Sequence, residues 1–223
     1  RQLPLAEVLE KLGLPEADSV VTMPPPKRVS GLGSPAYYFA LAGIVRATRP
    51  ESVLEFGTFR GVSALTMASN MPEDGMLFTV DLPDDATPDS SHELNAIDET
   101  HVRSSRHRVG EAFLGSAFGN RIRQIRADSM AFDARQHVKS CGLVLVDGGH
   151  SLPLVTRDTE NAFQVLAPGG TIIWDDYFYL YQEVVEFLDK LADTHHLVGI
   201  EGTNTVIHNQ HWRLPGGDSS DEK

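Results

Sequence analysis

Four short, mostly apolar runs cross the middle of the chain, at residues 52–56, 76–80, 143–146 and 171–174, with a further strand at 121–126 that turns Ile122 and Ile125 inward, and the gaps between them are long enough for helices. Near-continuous Val, Ile and Leu runs spaced in this way predict a parallel sheet buried on both faces, because each crossover helix covers the sheet it leaves. The crossovers are expected to be right-handed. Apolar periodicity and punctuation place helices over 3–12, 34–48, 61–70, somewhere within 91–117, over 154–166 and near 181–192. Ser34-Pro35 supplies a cap and a first-turn proline, and Pro50 stops the helix that follows. Two last apolar runs, 197–200 and 205–208, predict a hairpin around Gly202. The expected fold is α/β and doubly wound, a mostly parallel seven-stranded sheet with an antiparallel edge hairpin.

Residues 1–49 read as an N-terminal helical cap, within which 27–38 could fold over a site as a lid. Residues 50–213 read as the main domain, and the Gly/Ser/Asp-rich 214–223 as a disordered tail. No apolar stretch is long enough to span a membrane. The start, Arg1-Gln2-Leu3-Pro4, is not a signal peptide, and without an initial Met an earlier leader stays open. With 31 acidic and 19 basic residues the net charge is −12, which argues against a nucleic-acid or anionic-membrane partner. The charge is segregated: 81–99 is acidic and 103–126 is rich in Arg, as two solvated patches that could touch. A single cysteine, Cys141, cannot form an internal disulfide and points to a reducing cytoplasm.

The first apolar run ends in Glu55-Phe56-Gly57-Thr58-Phe59-Arg60-Gly61. Gly57 suits a tight turn and Gly61 a close backbone approach to a ligand, with free N–H groups of the next helix behind them. The spacing is E-x-G-x-x-x-G, not the G-x-G-x-x-G of a nicotinamide site, and no G-x-x-x-x-G-K-[ST] loop is present. Asp81 closes the next run, where an acid in a doubly wound fold accepts hydrogen bonds from ribose hydroxyls; the alternative is a surface turn before Pro83.

In these residues the chain resembles the class I S-adenosylmethionine (SAM)-dependent methyltransferases, which are Rossmann-like. Glu55 to Gly61 matches their first motif, Asp81 their ribose-binding acid, Ala127-Asp128-Ser129 their adenine-contacting segment, and Ala167-Pro168-Gly169-Gly170 their L-x-P-G-G turn. The resemblance implies SAM held by Glu55, Gly57, Thr58, Phe59, Gly61, Ser63, Asp81, Asp128, Ser129 and Asp147. Val146-Asp147-Gly148-Gly149-His150 and Trp174-Asp175-Asp176-Tyr177 look like the bacterial metal-dependent O-methyltransferases that act on sugars and related small molecules. That narrower resemblance implies Asp147, Asp175 and Asp176 as ligands of Mg²⁺, Mn²⁺ or Ca²⁺, and His150 as the base. It also implies a homo-oligomer, dimer or higher.

Physical chemistry bears on the same residues. Three carboxylates at the ends of neighbouring strands repel unless they are protonated or bridged by a cation, and oxygen-only ligands suit hard ions. Adjacent Asp175 and Asp176 reach one ion only if the chain has left its strand there; otherwise Asp176 could simply cap the next helix. His150 could equally be a solvated loop residue. The aromatic run Tyr177, Phe178, Tyr179 and Tyr181 could wall an acceptor pocket or merely pack. Cys141 reads as a small buried hydrophobe rather than a nucleophile, and His195, His196, His208 and His211 as structural or surface residues.

The expected activity is methyl transfer from SAM to a hydroxyl of a small molecule such as a sugar, diol or catechol. A metal-free methyltransferase and a SAM- or metal-binding module without catalysis are the alternatives. A nicotinamide dehydrogenase is the competitor at the level of fold.

Overall fold

The computed structural model describes residues 1–14, 20–24, 33–85, 94–136, 138 and 140–213. In chain order the elements are β1 (Gln2–Leu3), α1 (Leu5–Lys11), α2 (Pro35–Thr48), β2 (Ser52–Phe56), α3 (Val62–Ala68), β3 (Met76–Asp81), α4 (Ala96–Ser105), β4 (Ile122–Arg126), β5 (Cys141–Val146), α5 (Leu152–Val165), β6 (Leu166–Trp174), α6 (Gln182–Leu191), β7 (Val198–Ile200) and β8 (Val206–Asn209). Eight strands form one sheet in the order β1-β7-β8-β6-β5-β2-β3-β4. Strands β2 to β6 pair in parallel, while β8 is antiparallel to both β6 and β7. This is a Rossmann-like α/β fold.

From β2 the chain steps outward to β3 and β4, then returns to lay β5 on the other side of β2. The carboxyl ends of β2 and β5 therefore flank the point where strand order reverses, the place where open α/β sheets bind ligands. The register makes this concrete. Phe56 pairs with Val80 and with Val146, and Val146 pairs with Trp174. One residue further along each strand stand Gly57, Asp81, Asp147 and Asp175, so the four share one edge.

Alternation along the strands splits the core in two. Val53, Leu143, Leu145 and Ile173 pack with α2 and α3. Leu54, Val144, Val146 and Ile172 pack with α5 and α6. Burying each such side chain contributes roughly 1.5–3 kcal/mol over leaving it in water. Helix α2 belongs to the first layer through Leu41, Ile44 and Val45, and Ser34 caps it by accepting from the Tyr37 N–H at 3.1 Å.

The expected seven strands are joined by an eighth. Gln2 and Leu3 pair with Gly199 and Ile200, and the helix anticipated from residue 3 starts at Leu5, after Pro4. Among the described residues, the polar stretch before β4 holds one α-helix, α4, followed by turns. The Ala167-Pro168-Gly169-Gly170 segment lies inside β6, which follows α5 directly, and its irregularity appears as left-handed Gly169 (φ +75°) and a register shift against β5. The acidic and basic patches do touch, through Arg126–Asp84 at 3.3 Å and Arg106 donating to the Asp84 carbonyl at 3.1 Å. Cys141 is buried, and burial pushes its thiol up to about 12. Among the described residues no helix is long and apolar enough to cross a membrane. The tail 214–223 and residues 27–32 of the suggested lid lie outside the described residues.

Candidate active site

A cavity of about 380 Å³ opens at the shared strand edge. One half is built at the ends of β2, β3 and β4. Gly57 turns with φ +93°, and its N–H donates to the Val80 carbonyl at 2.9 Å. Gly61 begins α3 with φ +78°. Both glycines are required by neighbouring protein. A Cβ on Gly57 would lie 1.8 Å from the Asp147 carbonyl oxygen, and one on Gly61 would lie 2.6 Å from the Phe113 ring. The close approach expected toward a ligand is thus made first to the fold itself.

Asp81 accepts from the Phe59 and Leu82 N–H groups, each at 2.8 Å. Burial raises its carboxyl, while those donors and Arg126 oppose the rise. Glu55 is fully buried and accepts from the Thr79 and Ser63 hydroxyls; burial outweighs these bonds and pushes it up to about 7. One of its carboxyl oxygens, Oε1, has no partner. Thr58 turns inward, its hydroxyl 2.7 Å from that of Thr79. Asp128 and Ser129 line the cavity, and so does Asp158 of α5, which sequence reasoning missed. Burial raises Asp158 to about 7 against a hydrogen bond from Ser129.

The other half is built at the ends of β5 and β6. Asp147, Asp175 and Asp176 each bring a carboxylate oxygen within 4.8 Å of the others. The chain has left β6 after Trp174, and Asp176 adopts a left-handed backbone (φ +62°) that brings both neighbouring acids to one place. Helix α6 begins only at Gln182, so Asp176 is not its cap. Burial, then Asp175 and Asp176, hold the Asp147 carboxyl well above its ordinary range. Burial, then Asp176, push Asp175 up to about 7. Among the described residues, the one cationic side chain paired with any of the three is His150, whose Nε2 lies 2.6 Å from Asp176 Oδ2. A buried crowd of like charge with an all-oxygen donor set fits a hard divalent cation.

His150 is held on both ring nitrogens. Nδ1 is hydrogen-bonded to Asp98 of α4, whose other oxygen accepts the His150 N–H at 2.9 Å. Tyr181 stacks on the ring, with centroids 4.0 Å apart. Burial pulls the imidazole down, but bonds to Asp176 and Asp98 outweigh it and bring it to about 10. His101, also on α4, has its ring 5.6 Å from Phe59 and 6.1 Å from His150. Burial, then the charge on His150, lower it. The cavity therefore sets an imidazole whose proton two carboxylates favour beside one that burial turns against charge. Of the aromatic run only Tyr181 lines it; Tyr177 donates to Asp189, and Tyr179 is exposed.

Asp98, His101 and Asp158 reach the site from helices and were not among the expected site residues; Tyr37 reaches it from within the segment 27–38 suggested as a lid.

A sequence profile described as a methyltransferase domain matches residues 54–177, more than half of the chain. The chain belongs to that methyltransferase domain family. A protein of Mycobacterium sp. (strain JLS), provisionally named an O-methyltransferase, is 28% identical over 144 residues, which is 65% of this methyltransferase chain and 56% of the relative. A protein of Serratia proteamaculans (strain 568) named ATP-dependent 6-phosphofructokinase is 31% identical over 176 residues, 74% of this chain and 46% of that one. The chain thus spans about half the length of the curated relatives it matches. Among solved structures, the O-methyltransferase TomG of Streptomyces achromogenes, involved in tomaymycin synthesis and in complex with SAM, is 19% identical with a TM-score of 0.55; 80% of this chain and 81% of TomG are covered. At that identity the likeness is one of fold.

Proposed function

We propose that this methyltransferase domain transfers a methyl group from SAM to a hydroxyl oxygen of a small molecule, with a divalent cation assisting. The single observation that carries the reading is the meeting, in one cavity, of the Gly57/Asp81 turn with three crowded carboxylates. The SAM-bound small-molecule O-methyltransferase among its structural likenesses supports the same direction.

Asp81 would accept from the ribose hydroxyls, and Asp128 and Ser129 would border the adenine. Glu55, Gly57, Thr58, Phe59, Gly61 and Ser63 would shape the methionine end. Asp147, Asp175 and Asp176 would hold Mg²⁺, Mn²⁺ or Ca²⁺, which when bound lowers an acceptor hydroxyl's pKa and orients it. A sugar, diol or catechol offering two oxygens suits such a site. In the transfer the hydroxyl oxygen bonds to the methyl carbon, the carbon–sulfur bond breaks with its electron pair left on sulfur, and the proton passes to a base. His150 Nε2 is that base. It accepts only after its own Nε2 proton has passed to Asp176 or to solvent, and Asp176 and Asp98 together favour its protonated state. His101, which lines the same cavity and which burial turns against charge, favours a second reading in which it takes the proton. A cytoplasmic setting fits the lone buried Cys141, and a homo-oligomer is tested by light scattering.

Calorimetry with SAM and with NAD, each with and without Mg²⁺, tests the reading. SAM binding without NAD binding is expected. Saturable NAD binding alone would overturn it.

A further inference from the structure

Asp147 is the acid of the three that reaches furthest across the fold. The Tyr37 hydroxyl donates to its Oδ2 at 2.7 Å, from a residue 110 positions earlier in the chain. Tyr37 is only 5% exposed, so this phenol is not a surface group that happens to reach inward. The local sequence aims it. Ser34 caps the backbone N–H of Tyr37, and Pro35 sets the first turn of α2. Gly33 leaves room for the ring, since a Cβ there would lie 2.7 Å from Tyr37 Cδ1. Tyr38 closes the other side, with its ring 5.1 Å from that of Tyr37 and its hydroxyl accepting from the Gly33 N–H at 3.0 Å.

A carboxylate with one oxygen held by a donor keeps its other oxygen in a fixed direction. Outer partners of this kind orient metal ligands, and losing one typically weakens metal binding by about 10- to 100-fold. We infer that Tyr37 is a positioning residue for the divalent-cation site: by holding Asp147 Oδ2 it fixes the direction of the carboxylate that meets Asp175 and Asp176. This rests on the proposed metal dependence. It makes the start of α2 part of the cation site.

The test is Mn²⁺ binding to the SAM-free protein, followed by electron paramagnetic resonance and calorimetry. Tyr37→Phe keeps the ring and removes only the donor. A 10- to 100-fold weaker Mn²⁺ affinity is expected, with the melting temperature and SAM affinity little changed. Gly33→Ala, which pushes on the ring, should weaken Mn²⁺ less, and should add nothing once Tyr37 is Phe. A merely structural role would lower the melting temperature and leave Mn²⁺ affinity alone. Unchanged Mn²⁺ affinity in Tyr37→Phe, with binding still lost in Asp147→Asn, overturns the role of Tyr37 and leaves the cation site standing. Tighter binding in Tyr37→Phe also overturns it, making the phenol a plug rather than a guide. If the unaltered protein binds no Mn²⁺, the proposed metal dependence fails and this inference falls with it.

Discussion

Asp81 and Asp147 stand on the same sheet edge, two strands apart, and the structure treats them in opposite ways. Asp81 is answered by two backbone N–H groups fixed in the adjoining loops. Asp147 is answered by one phenol and otherwise faces two more acids. Around Asp81 the first half of the cavity is set before any ligand arrives, because its donors are backbone groups that the fold positions anyway, although Glu55 Oε1 and Asp158 Oδ1 are left without a partner. The second half concentrates charge that the described residues only partly balance. Preorganised donors suit a cofactor that is always the same; unbalanced carboxylates suit a cation that completes them.

The largest effect expected from this contrast is loss of turnover on chelation. Exhaustive chelator should take methyl transfer to background, and Mg²⁺ or Mn²⁺ should restore it, while SAM still binds at the first half. Undiminished activity without metal would make the acids a mere pocket lining. Next comes the proton. His150→Ala should lower turnover by about 10²–10⁴-fold, the usual cost of losing a general base, with SAM affinity nearly intact. His101→Ala should cost less, and the reverse order in the two variants would transfer the role to His101.

Smaller still, Asp81→Ala should weaken SAM binding by about 1–3 kcal/mol, the worth of hydrogen bonds to a charged acceptor. Asp147→Asn should weaken Mn²⁺ more than SAM. Equal losses of SAM in both variants would erase the distinction between the halves.

The smallest effect concerns pH and stability. Glu55 and Asp158 are both raised by burial to about 7, from ordinary values of 4.5 and 3.8. Groups of this kind hold protons in the folded state that the unfolded chain has released. Their contribution is fully present below the unfolded values and is lost as pH rises through about 7. The cofactor-free protein should therefore melt lower at pH 8 than at pH 5. A net loss of about 1 kcal/mol corresponds to roughly 2–4 °C for a chain of this size. Glu55→Gln should flatten the trend, and a melting temperature that climbs from pH 5 to 8 would contradict it.

The strands that frame the site were legible because burial on both faces favours apolar residues: 143–146 is apolar throughout and 52–56 is apolar at Val53, Leu54 and Phe56, and the acids near their ends stand out by contrast. Strand β1 was not legible. Two residues carry no period, and their pairing with β7 spans nearly the whole chain. Asp98, His101 and Asp158 were invisible for another reason. Each lies on a helix, where a polar residue facing a cavity looks the same in sequence as one facing water. Asp98 shows how complete the disguise is: it sits in the first turn of α4, where acids are favoured by the helix dipole, yet it is buried against His150. The left-handed backbone of Asp176 was also hidden, although the need for the chain to have left its strand could be stated in advance.

The contact between Gly57 and the Asp147 carbonyl leaves no side chain between the cofactor loop and the loop that bears the first acid. The proposed SAM and cation sites would thus share a party wall one backbone thick. Linkage then demands symmetry: whatever factor the cation imposes on affinity for SAM, SAM imposes on affinity for the cation.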